Sequence, residues 1–180
     1  MRISGGELRN RPVAAPRGTA TRPTPGRVKE ALFSIVGQRI DGARVLDLYA
    51  GSGAVGFEAL SRGAAHVTFV EIHAPTAAAI KRTAERFGVG KSVSVMCAAA
   101  ETAAKRVAGR FDFVYADPPY AVPPPQLTLG VLRTRGAIDP HSILVYEHRE
   151  GGPSFASPGF TTQREARYGE TVLQFLQVTP

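Results

Sequence analysis

The sequence predicts an α/β protein built on a mostly parallel sheet, with helices on both faces and an antiparallel hairpin at its C-terminal end. Three observations predict it. Short apolar runs alternate with stretches of helical period from residue 27 onward, and each connection is long enough to be a crossover. The first of those runs ends in Ala50-Gly51-Ser52-Gly53 and leads straight into a helical stretch. The last two runs flank a tight turn at Gly169-Glu170, the pattern of a hairpin closing a sheet edge. With 180 residues, 43% apolar and 21% charged, the chain is one domain able to bury its own core.

The first 26 residues are rich in Gly, Pro, Thr and Arg without helical period, and read as a loop or short hairpin standing outside the core. The globular domain is expected over residues 27–180. Val28, Ala31, Leu32, Ile35 and Val36 fall at helical spacing between Pro25 and Gly37, giving one amphipathic helix from Arg27. A strand is expected over 44–49, a helix over 54–62 ended by Gly63, and a strand over 66–71. Helix 76–87, strand 92–97, helix 101–107 and strand 111–116 continue the alternation. A proline-rich loop (Pro118, Pro119, Pro123, Pro124, Pro125) leads to helix 126–134 and strand 142–147, before the hairpin of 163–168 and 171–178.

Composition narrows the function classes. No run reaches the roughly 18 apolar residues of a membrane span, and the start Met-Arg-Ile-Ser-Gly-Gly lacks a secretory apolar stretch, so a cytoplasmic, membrane-free protein is expected. The lone Cys97 excludes an internal disulfide and reads as a buried small hydrophobe. His66, His73, His141 and His148 have no metal-ligand spacing, so no metal is expected. A monomer is the simpler expectation, since no exposed apolar stripe is evident. The net charge of +7 points to a polyanionic partner. Residues 1–30 carry +5 of it, through Arg2, Arg9, Arg11, Arg17, Arg22, Arg27 and Lys29 against Glu7 and Glu30. Arginine forks suit phosphate oxygens, so Arg2, Arg9, Arg11, Arg17 and Arg22 are candidate nucleic-acid contacts.

Two motifs carry chemistry. In Asp47-Leu48-Tyr49-Ala50-Gly51-Ser52-Gly53-Ala54-Val55-Gly56 the glycines allow a tight turn and a close backbone approach at a helix N-terminus. That turn serves a dinucleotide phosphate or the amino-acid end of S-adenosylmethionine. Asp47, four residues before Gly51, suits a methionine ammonium; Glu71, ending the second strand, can take ribose hydroxyls in either class. The second motif, Asp117-Pro118-Pro119-Tyr120, follows a hydrophobic strand and tips the choice. Two prolines fix the backbone, so the Asp117 carboxylate and the Pro118 carbonyl can both accept from one exocyclic amine. Tyr120 can stack on the base. Held so, the amine nitrogen is drawn toward a tetrahedral shape with its lone pair aimed at a methyl group, and alignment does most of the work. A dinucleotide-dependent oxidoreductase, a DNA amino-methyltransferase and a silent RNA-binding factor are the rival readings. Phe33 either packs over a cofactor or joins the core.

The runs Arg2-Ile3-Ser4-Gly5-Gly6, Thr21-Arg22-Pro23-Thr24, Glu30-Ala31-Leu32-Phe33-Ser34-Ile35, Val45 to Gly53 and Asp117-Pro118-Pro119-Tyr120, with Tyr168-Gly169, closely resemble the RsmD family of bacterial 16S ribosomal RNA guanine-N2 methyltransferases. The acid-proline-proline-tyrosine box is shared with adenine-N6 and cytosine-N4 enzymes; the Thr-Arg-Pro-Thr and Glu-Ala-Leu-Phe stretches are narrower. The resemblance implies a Rossmann-like fold using S-adenosylmethionine on a guanine of the assembled small subunit. It further implies that Arg22, Pro23 and Thr24 lie over the cofactor pocket and that the preceding arm contacts RNA. The target guanine then swings out, stacks on Tyr120 and gives its N2 amine to Asp117 and Pro118. Departures from the family pattern are Gly26 in place of an acid, Thr83 in place of Asn, and Ala98 and Ala99 where a polar side chain commonly meets the adenine. Adenine recognition at Ala98 and Ala99 is therefore expected to use main-chain groups.

Overall fold

The helix over Gly26–Val36 (α1) buries Val28, Leu32 and Val36 of the expected apolar stripe together with Lys29 and Phe33, while Ala31 and Ile35 are half-buried. The computed structural model describes residues 1–13, 26–119 and 121–179. After α1 come β1 (Arg44–Leu48), α2 (Ala54–Ser61), β2 (His66–Glu71), α3 (Ala74–Phe87), β3 (Val93–Cys97), α4 (Ala100–Ala104) and β4 (Phe113–Ala116). The chain continues through α5 (Gln126–Thr134), β5 (Ile143–Arg149), β6 (Phe160–Tyr168) and β7 (Thr171–Val178). One seven-stranded sheet runs β3-β2-β1-β4-β5-β7-β6, with β1 to β5 parallel and β7 antiparallel to both β5 and β6.

Strand order decides where a ligand can sit. The chain builds outward from β1 through β2 to β3, then returns across the sheet to place β4 on the other flank of β1. Connections leaving β1 and β4 therefore go to opposite faces, and a crevice opens at the carboxyl ends of these two strands. Helices α1, α2 and α3 cover one face, where Leu32, Phe57 and Ile80 join Val45, Phe69 and Phe113 of the strands in one cluster. On the other face α4 and α5 pack on Leu46, Leu48, Val114 and Leu144. β4 is buried at all four positions, as a central strand covered on both sides must be.

Three expectations need correction. The first residues do form a short hairpin, with an antiparallel bridge between Arg2 and Pro12, but residues 1–13 do not stand outside the core. Ile3, Leu8 and Val13 are buried in the cluster that holds Phe57 and Phe87. Their spacing follows no helical or strand period, so the pattern did not betray a buried face; residues 14–25 lie outside the described residues. Cys97 is exposed, because β3 is the sheet's edge strand and its last residue turns outward. The third is length: β5 extends to Arg149 and β6 starts at Phe160, both longer than predicted because polar residues at strand ends still pair, while α4 stops at Ala104 and β4 starts at Phe113, both shorter. Phe33 is a core residue, tilted against Phe113 at 6.3 Å between ring centroids and covered by Arg62.

Candidate active site

The turn after β1 takes left-handed backbone at Tyr49 (φ 58°), Gly51 (φ 53°) and Gly53 (φ 76°). Gly53 precedes α2 without a side chain to cap it. The exposed donors of the first helical turn need an acceptor, and Asp47 reaches from β1 to take the Gly56 N–H at 3.0 Å. Asp47 is therefore a buried strut between strand and helix. Burial pushes its carboxyl up to about 8, against the Gly56 hydrogen bond and with a further push from Glu71. Glu71 accepts the Gly51 N–H and the His73 N–H, both at 2.8 Å, and so pins the glycine turn to the end of β2. Its two oxygens keep lone pairs for further donors. Gly56 sits against β2 so closely that a Cβ there would come within 2.2 Å of the Phe69 ring. Gly56→Ala is expected to cost about 1–3 kcal/mol through this overpacking, read as a lower denaturation midpoint at unchanged m.

On the other flank of the crevice, β4 delivers Asp117. Tyr115 pairs with Val145 and Ala116 with Tyr146, so Asp117 leaves the end of β4 just where β5 runs on into Glu147. Asp117 is half-buried, Pro118 buried and Pro119 exposed, while the Pro119 carbonyl closes a turn with the Val122 N–H at 2.8 Å. Burial, then the charges of Glu147 and Asp47, hold the Asp117 carboxyl well above the usual carboxylate range. Glu147 is itself buried and accepts the Tyr115 hydroxyl. Tyr146 is pushed up to about 12 by burial, then by Asp117 and Tyr49; its hydroxyl donates to the Pro153 carbonyl at 3.1 Å. Three carboxyl groups, Asp47 on β1, Asp117 just after β4 and Glu147 on β5, thus meet at one edge of the sheet, a field that favours a cationic ligand.

Most of the residues singled out in the sequence gather here. Asp47, Gly51, Gly53, Glu71, Ala98, Ala99, Asp117 and Pro118 all lie at the carboxyl ends of the parallel strands. The Ala98 N–H is given to the Glu71 carbonyl at 3.2 Å, so main-chain recognition of a ligand there does not use it. Arg17, Arg22, Pro23, Thr24 and Tyr120 lie outside the described residues. Arg2, Arg9 and Arg11 are exposed but elsewhere. Their hairpin docks on Ser61 and Phe87, at the far ends of α2 and α3, which is the opposite edge of the sheet from Asp117. Arg11 donates to the Phe87 carbonyl at 3.2 Å and Arg2 to the Asn10 carbonyl at 2.7 Å. Glu147 and Tyr115 were missed as site residues. The available signal was an acid closing an apolar strand, as Asp47 and Asp117 do.

A sheet that reverses between β1 and β4, with a glycine turn after one and an acid-proline-proline turn after the other, defines a Rossmann-like methyltransferase. A family model described as conserved hypothetical protein 95 matches residues 1–177, and the chain belongs to this, the RsmD family of methyltransferases. It is 36% identical over 152 residues to YlbH of Bacillus subtilis (strain 168), named as a candidate rRNA methyltransferase, covering 82% of each chain. It is 29% identical over 178 residues to ribosomal RNA small subunit methyltransferase D of Escherichia coli (strain K12), covering 98% of this chain and 89% of that one. Among solved structures, the candidate methyltransferase yhhF from Escherichia coli superposes with a TM-score of 0.87 at 27% identity, covering 100% of this chain and 98% of that. An RNA methyltransferase from Salinibacter ruber in complex with S-adenosyl-L-homocysteine shares the fold at a TM-score of 0.68 and 16% identity, over 87% of this chain and 94% of that.

Proposed function

We propose that this protein transfers a methyl group from S-adenosylmethionine to the exocyclic N2 amine of a guanine in the 16S RNA of the small ribosomal subunit. The observation that carries the reading is Asp117-Pro118 at the end of β4, one strand from the glycine turn of β1. The names of the relatives support an rRNA substrate, and the product bound in the Salinibacter ruber fold neighbour supports the cofactor class. The donor set fits: two acids on neighbouring strand ends can meet a ribose and an ammonium, and the Asp117 side supplies the acceptors for an amine. S-adenosylmethionine, when bound, supplies an electrophilic methyl on a sulfonium.

The chain's own residues then divide the work. Glu71 takes the ribose hydroxyls, Asp47 the methionine ammonium, and Ala98 and Ala99 border the adenine with main-chain groups. Arg22, Pro23 and Thr24 cover the pocket. Asp117 and the Pro118 carbonyl accept from the guanine N2 amine while Tyr120 stacks on the base, which fixes the nitrogen lone pair toward the methyl. Arg17 and Arg22 are further contacts to the RNA. Arg2, Arg9 and Arg11, on the opposite edge of the sheet, hold a more distant stretch of the same RNA.

The test is methyl transfer from labelled S-adenosylmethionine to unmodified small subunits, with protein-free 16S RNA and duplex DNA in parallel, followed by nucleoside mass spectrometry. N2-methylguanosine from the subunits is the expected product. Methyladenosine or methylcytosine overturns the base assignment, and no label on any substrate overturns the enzymatic reading.

Cofactor binding carries its own pH signature. With its carboxyl raised to about 8, Asp47 is mostly protonated at pH 7 in the free protein, and pairing with an ammonium draws it to the carboxylate. Binding then releases a proton, so affinity rises as pH goes from 6 to 8. Calorimetric titration in two buffers of different ionisation enthalpy is expected to read proton release from the parent and less of it from Asp47→Asn. Equal release from both removes Asp47 as the ammonium partner.

A further inference from the structure

We propose that Glu147 selects guanine: its carboxylate, beside Asp117 on the adjacent strand, accepts the N1–H of the base whose N2 amine Asp117 holds. This rests on the reaction proposed above and names what chooses its base.

The acid-proline-proline turn alone reads only an amine. Adenine, cytosine and guanine all carry one, and they differ in what flanks it. In guanine the N1 and N2 nitrogens hang on the same ring carbon and both donate. Beside the amine of adenine or cytosine stands a bare ring nitrogen, an acceptor. A second acceptor next to Asp117 therefore completes a pair of hydrogen bonds with guanine and faces a lone pair in the other two.

Glu147 is placed to be that acceptor. The β4–β5 register pairs Tyr115 with Val145 and Ala116 with Tyr146, and carrying it one residue past the end of β4 puts Asp117 beside Glu147, about one interstrand spacing away. Both stand on the sheet face that carries Tyr115, because side chains alternate along a strand. The Tyr115 hydroxyl donates to one Glu147 oxygen and sets the orientation of the carboxylate. A carboxylate offers about four lone-pair sites on its two oxygens, more than one or two protein donors fill. Glu147 is also, after burial, the largest influence raising the Asp117 carboxyl, which is what close neighbours with like charge do. If the pair served packing alone, apolar side chains would fill two strand ends without the desolvation cost.

The experiment compares guanine with 2-aminopurine at the methylated position of 16S RNA reconstituted into small subunits. The analogue keeps the N2 amine and replaces N1–H by a bare nitrogen. For the parent protein, kcat/KM for N2 methylation is expected to fall about 10- to 100-fold on the analogue, the loss of one hydrogen bond to a charged group. Glu147→Gln, whose amide can donate as well as accept, is expected to lose rate on guanine and to level or reverse the preference. The analogue also lacks the guanine O6, but discrimination owed to O6 persists in the variant, so only the part that vanishes counts for Glu147. Equal rates of the parent on both bases overturn the proposal without any variant being made. So does a variant that loses the same factor on each base, which is the mark of a purely structural role. If the parent forms no N2-methylguanosine from the guanine subunits, the reaction assignment itself falls.

Discussion

Asp117→Ala is expected to lower kcat for methyl transfer about 10²–10³-fold or more while cofactor affinity changes little. The side chain contributes an acceptor needed only when the amine nitrogen rehybridises, so its loss falls on the chemical step. Stability should move the other way. Burial, Glu147 and Asp47 raise the Asp117 carboxyl in the folded protein above its unfolded value. Between the unfolded value near 4 and that raised value the native state binds more protons than the unfolded chain, so stability declines as pH rises through this window. Removing the carboxyl removes that decline. Asp117→Ala and Asp117→Asn should therefore gain on the parent in thermal stability as pH is raised from 5 to 8, even as activity disappears. An inactive variant that is also less stable at pH 8 would mean a folding defect, and a variant that methylates at the parent rate would end the catalytic assignment. The trade of stability against activity is expected where a fold holds unfavourable charge for a purpose.

The same physics explains what could be read from the sequence. Crossovers were legible because apolar periodicity is a local property: α1, β2, α5 and β7 appear within a residue of the predicted bounds. Asp47, Gly51, Glu71 and Asp117 were legible because each closes or follows an apolar run, and a parallel sheet gathers such positions at one edge. Glu147 closes an apolar run too, but its role depends on β5 pairing with β4, a choice of neighbour that no local pattern states. The N-terminal hairpin was misread for a related reason. Ser4 and Gly5 gain their value only when they meet Glu58, more than fifty residues away. Lys29, counted among the cations available to a polyanion, is buried against that same Glu58.

That buried junction supplies the second large expected effect. Glu58, wholly buried on α2, takes Ser4 Oγ at 2.7 Å, the Gly5 N–H at 2.9 Å and Arg62 Nε at 2.9 Å on one oxygen. Its other oxygen takes the Ser4 N–H at 2.8 Å and Lys29 Nζ at 2.6 Å, and Lys29 also donates to the Arg2 carbonyl at 2.8 Å. One carboxylate therefore ties the N-terminal hairpin and α1 to the helix that begins at the glycine turn. Burial alone would raise its carboxyl, yet the hydrogen bonds from Lys29 and Ser4 and the Lys29 charge outweigh burial and lower it.

Glu58→Ala leaves the Lys29 ammonium buried and uncompensated and strips the hairpin of its main anchor. The expected cost is about 3–5 kcal/mol, read as a reduced midpoint in guanidinium chloride. Because the folded carboxyl is lowered, its contribution is complete above the unfolded value near 4.5 and is lost as pH falls through the lower folded value. The gap between parent and Glu58→Ala should accordingly narrow in acid. Combining Lys29→Met with Glu58→Leu should recover much of the loss, since an apolar pair of similar volume needs no charge partner, although the Ser4 and Gly5 amides still lack their acceptor. Equal midpoints for parent and Glu58→Ala at pH 7 would mean that Lys29 escapes to water when its partner is gone, and that apolar packing and the bonds to Ser61 and Phe87 hold α1 and the hairpin without Glu58.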